Sequence, residues 1–140
     1  IDLGIAMQLT NIARDVVEDE KRNRSYIKHD LGAIKEIIKI ADTFYESSFV
    51  AIKYIPIISR FSIIVARRVY KKIGYNILKI ENIEKYDSAG KIYVSNIAKV
   101  IETFLSLYDF IKLFFINSKR HLKEDEHAII NKEINLNERI

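Results

Sequence analysis

Apolar residues recur along this chain at intervals of three and four, in runs much longer than strands usually are. The first run covers Ile1 to about Arg22 and opens in full apolar rhythm at Ile1-Asp2-Leu3, with no capping residue ahead of it, so the chain reads as starting inside a helix. A polar stretch from Asn23 to Asp30 predicts a loop. A second helix is expected from about Leu31 to Pro56, where the proline removes a hydrogen bond and clashes with the preceding turn. A third is expected from about Ile58 to Lys85, followed by a turn at Asp87-Ser88-Ala89-Gly90. From Val94 to Ile116 the positions Ile97, Ile101, Leu105, Tyr108 and Ile111 predict a fourth helix. From Asn117 the composition turns polar, with Lys119, Arg120, Lys123, Glu124, Asp125 and Glu126 close together. The division predicted is therefore an all-α unit over 1–117 and a polar tail over 118–140, frayed or separately docked.

Composition narrows the function classes. The 140 residues hold 49% apolar and 30% charged side chains, ordinary for one globular domain. With no cysteine, thiol nucleophiles, disulfides and cysteine-based zinc sites are excluded, so any metal must be held by oxygen or histidine. No apolar run reaches the roughly 18 residues of a membrane span, and no basic leader precedes an apolar stretch. The net charge of +4 is spread along the chain and gives no support to nucleic-acid binding.

The chemistry concentrates on the first helix. At about 100° per residue, Gln8, Asn11, Asp15 and Asp19 fall within an arc of roughly 80°, with Gly4 on the same line, while Ile5, Leu9, Ala13, Val16 and Val17 take the other angles. Asp15 and Asp19 stand one turn apart, where like charges on a bare helix repel by roughly 0.2–0.5 kcal/mol. One reading is a solvent face salt-bridged to Arg14, Arg22 and Arg24. The other is a set of hard oxygen ligands of the kind Mg²⁺ accepts while keeping waters and leaning on substrate phosphates. Elsewhere, Arg67, Arg68, Lys71 and Lys72 around Tyr70 read either as a solvated face or as a basic surface for membrane or nucleic acid. His29, His121 and His127 read as surface residues without partners. The aromatic run Phe104, Tyr108, Phe110, Phe114 and Phe115 reads as core or cavity lining.

The segment Leu3-Gly4-Ile5-Ala6-Met7-Gln8-Leu9-Thr10-Asn11-Ile12-Ala13-Arg14-Asp15-Val16-Val17-Glu18-Asp19, followed by Arg24-Ser25-Tyr26, resembles the second aspartate-rich region of the squalene and phytoene synthase family. Ala66-Arg67-Arg68-Val69-Tyr70-Lys71-Lys72-Ile73-Gly74 is similar to a later helix of that family, and Lys91-Ile92-Tyr93-Val94-Ser95 with Lys99 to the segment after it. The resemblance covers about residues 1 to 100.

It implies the helical class I isoprenoid synthase fold, represented here by C-terminal helices only, in which two aspartate-rich motifs face each other across a cavity and Mg²⁺, or Mn²⁺ in its place, holds diphosphate between them. By resemblance Asp15, Asp19 and Asn11 are metal ligands. Gln8, Asn11, Arg14, Arg24 and Lys91 serve the diphosphate, and Tyr70 reaches it with its phenol. Asp15, Asp19 and Tyr70 form the implied catalytic set.

The implied reaction is head-to-head condensation of two prenyl diphosphates through a cyclopropylcarbinyl diphosphate. The wording of the motif is closest to bacterial phytoene-type enzymes, which use geranylgeranyl diphosphate in carotenoid biosynthesis and need no nicotinamide. The alternatives are a squalene, dehydrosqualene or hydroxysqualene synthase taking farnesyl diphosphate, with NADPH only for squalene, or a non-catalytic helical partner subunit. The resemblance further implies a cytoplasmic protein, peripheral to the inner face of the membrane, with prenyl diphosphates and not nucleic acid as its partners. The family's first aspartate-rich motif, carried in the N-terminal half, is not in this sequence, so the 140-residue chain is expected to be inactive alone. Lys28 stands where the family has proline, and Lys91 where it has arginine, which turns a two-pronged phosphate contact into a point charge.

Overall fold

A computed structural model describes residues 1–116, and it is helical throughout, with no strand among the described residues. The helices are α1 (Asp2–Arg14), α2 (Val16–Lys21), α3 (Leu31–Ala51), α4 (Ile57–Leu78), α5 (Ile83–Ala89) and α6 (Asn96–Phe115), with a 3₁₀ turn at Ile52–Tyr54 between α3 and α4. The expected tail, with His121 and His127, lies outside the described residues.

Short polar side chains start three of the helices. Asp30, Asn82 and Ser95 accept the backbone N–H groups of Ala33, Lys85 and Ala98 at 3.1, 2.9 and 3.2 Å, replacing bonds that a helix's first turn cannot make internally. α3 tightens into the 3₁₀ turn and is gone before Pro56, as that proline requires.

Three boundaries differ from the periodic reading. The first run is broken at Asp15, whose φ of −104° and ψ of 14° lie outside the helical well. The third run ends at Leu78, because the Asn82 cap starts a separate helix there. Asp87, Ser88 and Ala89 are helical and not a turn; the stop is Gly90, whose φ of 61° favours a residue without Cβ.

α1 packs on α3 and α4, burying Ala6, Leu9 and Ala13 against Ile34, Ile38, Ala41 and Phe44, with Ile73 and Ile77 of α4 closing the cluster. Gly74 lets α4 approach α3 closely, since a Cβ there would meet Ile38 Cγ2 at 3.1 Å. Inside the seam Thr10 Oγ1 donates to the Ala6 carbonyl at 2.9 Å, so the Tyr45 hydroxyl, also at 2.9 Å, must donate to Thr10. Burial pushes the Tyr45 phenol far above its ordinary value, which keeps it a donor.

On α6 the expectation that its aromatics form core is not met. Phe104, Tyr108, Phe114 and Phe115 are exposed, as are Ile97, Ile101, Leu105 and Ile111, and only Phe110 is partly buried, edge-on to Phe61 at 6.2 Å. The side of α6 turned toward α4 carries Glu102, Ser106, Asp109 and Leu113. That side is held by charge. Arg68 Nε donates to Glu102 at 2.9 Å and its Nη1 to Asp109 at 2.7 Å, with Lys72 at 3.9 Å from Glu102.

The basic group around Tyr70 is thus neither a solvated face nor a free basic surface. Arg67 is 5% exposed, bonded to the Tyr45 carbonyl at 2.8 Å and stacked over Phe49, and Lys71 pairs with Glu46 and Asp42. Removing one side of such a layer leaves carboxylates buried and unpaired. Arg68→Met is expected to cost about 3 kcal/mol in urea unfolding, and adding Glu102→Leu with Asp109→Leu to return most of that loss. Equal stability of the single variant and the wild type would show the layer to be inert.

Candidate functional site

The first helix delivers its polar line to the outside of the α1–α3 seam because the apolar line is consumed inside it. Asp15 sits at the junction of α1 and α2 with its side chain 19% exposed. Arg14 grips it with both prongs, Nε to Oδ1 at 2.8 Å and Nη2 to Oδ2 at 2.7 Å. Lys91 adds its Nζ at 3.5 Å from Asp15 and 3.1 Å from Glu18.

Burial alone would raise the Asp15 carboxyl, but the hydrogen bonds and charge of Arg14, aided by Lys91, carry it below the usual carboxylate value. The bond to Asp15 in turn raises Arg14 against the opposing effect of burial, with Tyr70 and Tyr93 near enough to contribute. Lys91 is raised chiefly by its bond to Glu18 and next by the Asp15 charge. All three groups are therefore charged at neutral pH.

These residues line a cleft of about 320 Å³ with Val17, Glu18, Lys21, Gly90 and Tyr93. Gly90 matters here, because its positive φ ends α5 and turns the chain so that Lys91 reaches α1 and α2. Asp19 does not line this cleft. It borders a much smaller crevice with Arg24, Ser25 and Tyr26, and its carbonyl accepts the Arg22 and Arg24 N–H groups at 2.9 Å each.

Of the other expected residues, Gln8 and Arg24 are exposed, and Tyr70 packs at the margin of the main core. Asn11 Oδ1 is buried and has no hydrogen-bond partner. A carbonyl oxygen withdrawn from water without a donor is a costly arrangement, and it sits one turn from Asp15 on the line that the spacing identified. The structure thus joins Arg14, Asp15 and Lys91 around one cleft and holds Asp19 with Arg24 around another cavity.

Glu18, Lys21 and Tyr93 belong to the first cleft and were not singled out by sequence. Glu18 could have been found as the third carboxylate of the same segment, whereas its pairing with a residue 73 positions away leaves no local signal.

The donor set suits Mg²⁺ in type: two carboxylates and an unpartnered amide oxygen, for a cation that keeps several waters and draws its other oxygens from phosphate. Among the described residues no three His, Cys, Asp or Glu side chains converge on one point, and Asp15 and Asp19 border separate cavities.

Residues 1–31 match the family model described as squalene/phytoene synthase. The chain is 35% identical over 96 residues to a 15-cis-phytoene synthase of Paracoccus sp., covering 56% of this chain and 32% of that protein. It is 30% identical over 99 residues to a 15-cis-phytoene synthase of Enterobacter agglomerans, covering 56% of this chain and 34% of the relative. A bifunctional lycopene cyclase/phytoene synthase of Phycomyces blakesleeanus is 29% identical over 135 residues, covering 79% of this chain and 22% of that protein. The chain spans about a third of the length of the curated relatives it matches first. No solved structure matches it significantly.

His29, expected to be without partners, bridges α2 and α5: Nδ1 lies 2.7 Å from Glu20 and Nε2 2.7 Å from Asp87. A neutral ring can donate from only one nitrogen, so the two carboxylates hold the imidazolium. The Asp87 bond raises His29, against burial, and the Glu20 bond adds to it. A raised folded-state value means the stabilisation is full below the unfolded value, about 6.5, and is lost as pH rises through the folded value. The stability advantage of wild type over His29→Ala is expected to be largest in mild acid and to shrink with rising pH, read by denaturant unfolding at several pH values. An advantage that grows with pH would contradict the bridge.

Proposed function

We propose that this chain is part of a squalene/phytoene synthase family protein, a phytoene synthase-like prenyltransferase joining two prenyl diphosphates head to head, with geranylgeranyl diphosphate as substrate, in carotenoid biosynthesis; the match of residues 1–31 to the family model and the similarity to phytoene synthases support this reading. The observation that carries this reading is the cleft in which Arg14 and Asp15, inside the segment that matches the family model, meet Lys91 from beyond it.

Asp15 and Asn11 would hold Mg²⁺, and Asp19, which borders a separate crevice here, would join them only when metal and diphosphate are bound. When bound, the ion stabilises the negative charge that develops on the departing diphosphate. The chain's own residues prepare for that charge. Arg14 and Lys91 place two cations at one carboxylate, available to phosphate oxygens when diphosphate arrives. Tyr93 lines the same cleft, and Tyr70 is near enough to Arg14 to bear on its charge. Arg24 would meet phosphate from the Asp19 side. Gln8, exposed two turns before Asp15, would line the edge of the cavity. Arg14 and Lys91 stand at the cleft already paired with Asp15 and Glu18, and in this reading they exchange part of that pairing for phosphate oxygens.

The rest of the reading follows from the substrate. Prenyl chains partition into bilayers, and the location that goes with this reading is the cytoplasm, peripheral to the inner membrane face. No helix among the described residues is long and apolar enough to cross a membrane. The opposing aspartate-rich motif belongs in this reading to polypeptide outside these 140 residues.

Incubating the full-length protein with geranylgeranyl or farnesyl diphosphate, with and without NADPH, tests it: a C40 hydrocarbon from the former without NADPH is expected. Asp15→Asn and Asp19→Asn are each expected to lower turnover about a hundredfold or more with folding intact. Near-normal rates in both would remove the metal role.

A further inference from the structure

The segment bearing the two aspartates is a helix in two pieces, and something must hold the pieces at their angle. Asp15 lies at the break, between Arg14 of α1 and Val16 of α2. A break frees carbonyls at the end of one helix and N–H groups at the start of the next. In an unbroken helix the Ala13 carbonyl would take the Val17 N–H, and the Val16 N–H would reach Ile12.

Tyr86, 1% exposed, arrives from α5 at the freed carbonyl. Its hydroxyl donates to the Ala13 carbonyl at 2.7 Å, and the Val16 backbone is near enough to bear on the phenol. A phenol that donates can also accept, so the same oxygen is suited to the N–H that the break releases.

We propose that Tyr86 is a positioning residue whose hydroxyl stabilises the break at Asp15 and so sets the direction in which α2 presents Asp19 relative to Asp15. This rests on the diphosphate reading of the site. Without the hydroxyl, the freed Ala13 carbonyl loses its partner, or the two pieces close into one helix and Asp19 turns with α2.

The rest of the α5 region supports the same task. Asp87, the next residue, ties α2 through His29 and Glu20, and Lys91, past the Gly90 turn, ties it through Glu18. α5 and the turn after it thus grip α2 at one end while Tyr86 holds the other. Tyr86 itself lines neither cavity bordered by the aspartates.

Tyr86→Phe in the full-length protein keeps the ring and removes only the oxygen. It is expected to raise the Mg²⁺ concentration for half-maximal turnover about tenfold, the scale seen when a group that orients a metal ligand is lost. The same variant is expected to shrink the rise in Tm that Mg²⁺ with inorganic pyrophosphate gives the wild type. Ile64→Val, in the second apolar cluster, serves as the control: it should lower Tm while leaving the Mg²⁺ dependence in place.

A wild-type Mg²⁺ dependence in Tyr86→Phe overturns the positioning role, as does an equal change in Ile64→Val or failure of Tyr86→Phe to fold. The diphosphate reading fails separately, and this proposal with it, if the wild type gains no Tm from Mg²⁺ and pyrophosphate and Asp15→Asn turns over normally.

Discussion

The burial of α1 between α3 and α4 is the constraint on which the other features depend. Small residues, Ala6 and Ala13, let the backbones approach, and Leu9 and Ile12 fill the space between them. The Thr10–Tyr45 bond then fixes rotation as well as contact, because each polar group inside the seam has one geometry that satisfies it. Once α1 cannot turn, Arg14 and Asp15 have one direction in which to leave it. The cleft beside Lys91 and Tyr93 is a consequence of packing on the far side of the same helix.

The electrostatics follow the same logic of enforced pairing. Asp15 is withdrawn far enough from water that its charge would be unfavourable alone, and a two-pronged arginine with a lysine behind it reverses that balance. The α4–α6 layer repeats the pattern on a larger scale, with Arg68 between two carboxylates. The two differ in what surrounds them. Arg68 spends its guanidinium on carboxylates that no local spacing places together, and its task is to join two helices. Arg14 and Asp15 are sequence neighbours at a helix break, so their contact joins no elements, and the lysine beside them remains exposed to an incoming anion.

The helices were legible in the sequence because period alone decides between helix and strand in runs of twenty residues. The caps at Asp30, Asn82 and Ser95 are present in the letters but none is read from them, and without the Asn82 cap the periodic reading carries the third helix on to Lys85. The break at Asp15 was not legible: apolar spacing continues from Ile12 through Val16 without a missed beat, and the group that stabilises the break stands 73 residues away from Ala13. The stripe of Gln8, Asn11, Asp15 and Asp19 was found from angles, but the separation of Asp19 into its own crevice depends on the same break and was missed with it. His29 failed for a related reason, since Glu20 and Asp87 reach it only after the chain has folded back.

α6 shows most clearly what periodicity leaves open. Its pattern has two faces, one apolar and one carrying Glu102, Ser106 and Asp109, and the usual rule puts the apolar face inward. Arg68 and Lys72 on α4 change the balance, because two carboxylates and an arginine that meet across a helix pair are satisfied only if the polar stripe turns toward them. Leu113 and Phe110 still give the contact an apolar end against Ile64 and Phe49, so the helix is held by charge along most of its length and by burial at its last turns. A helical period therefore identifies a face, and the partner's charge decides which face is used.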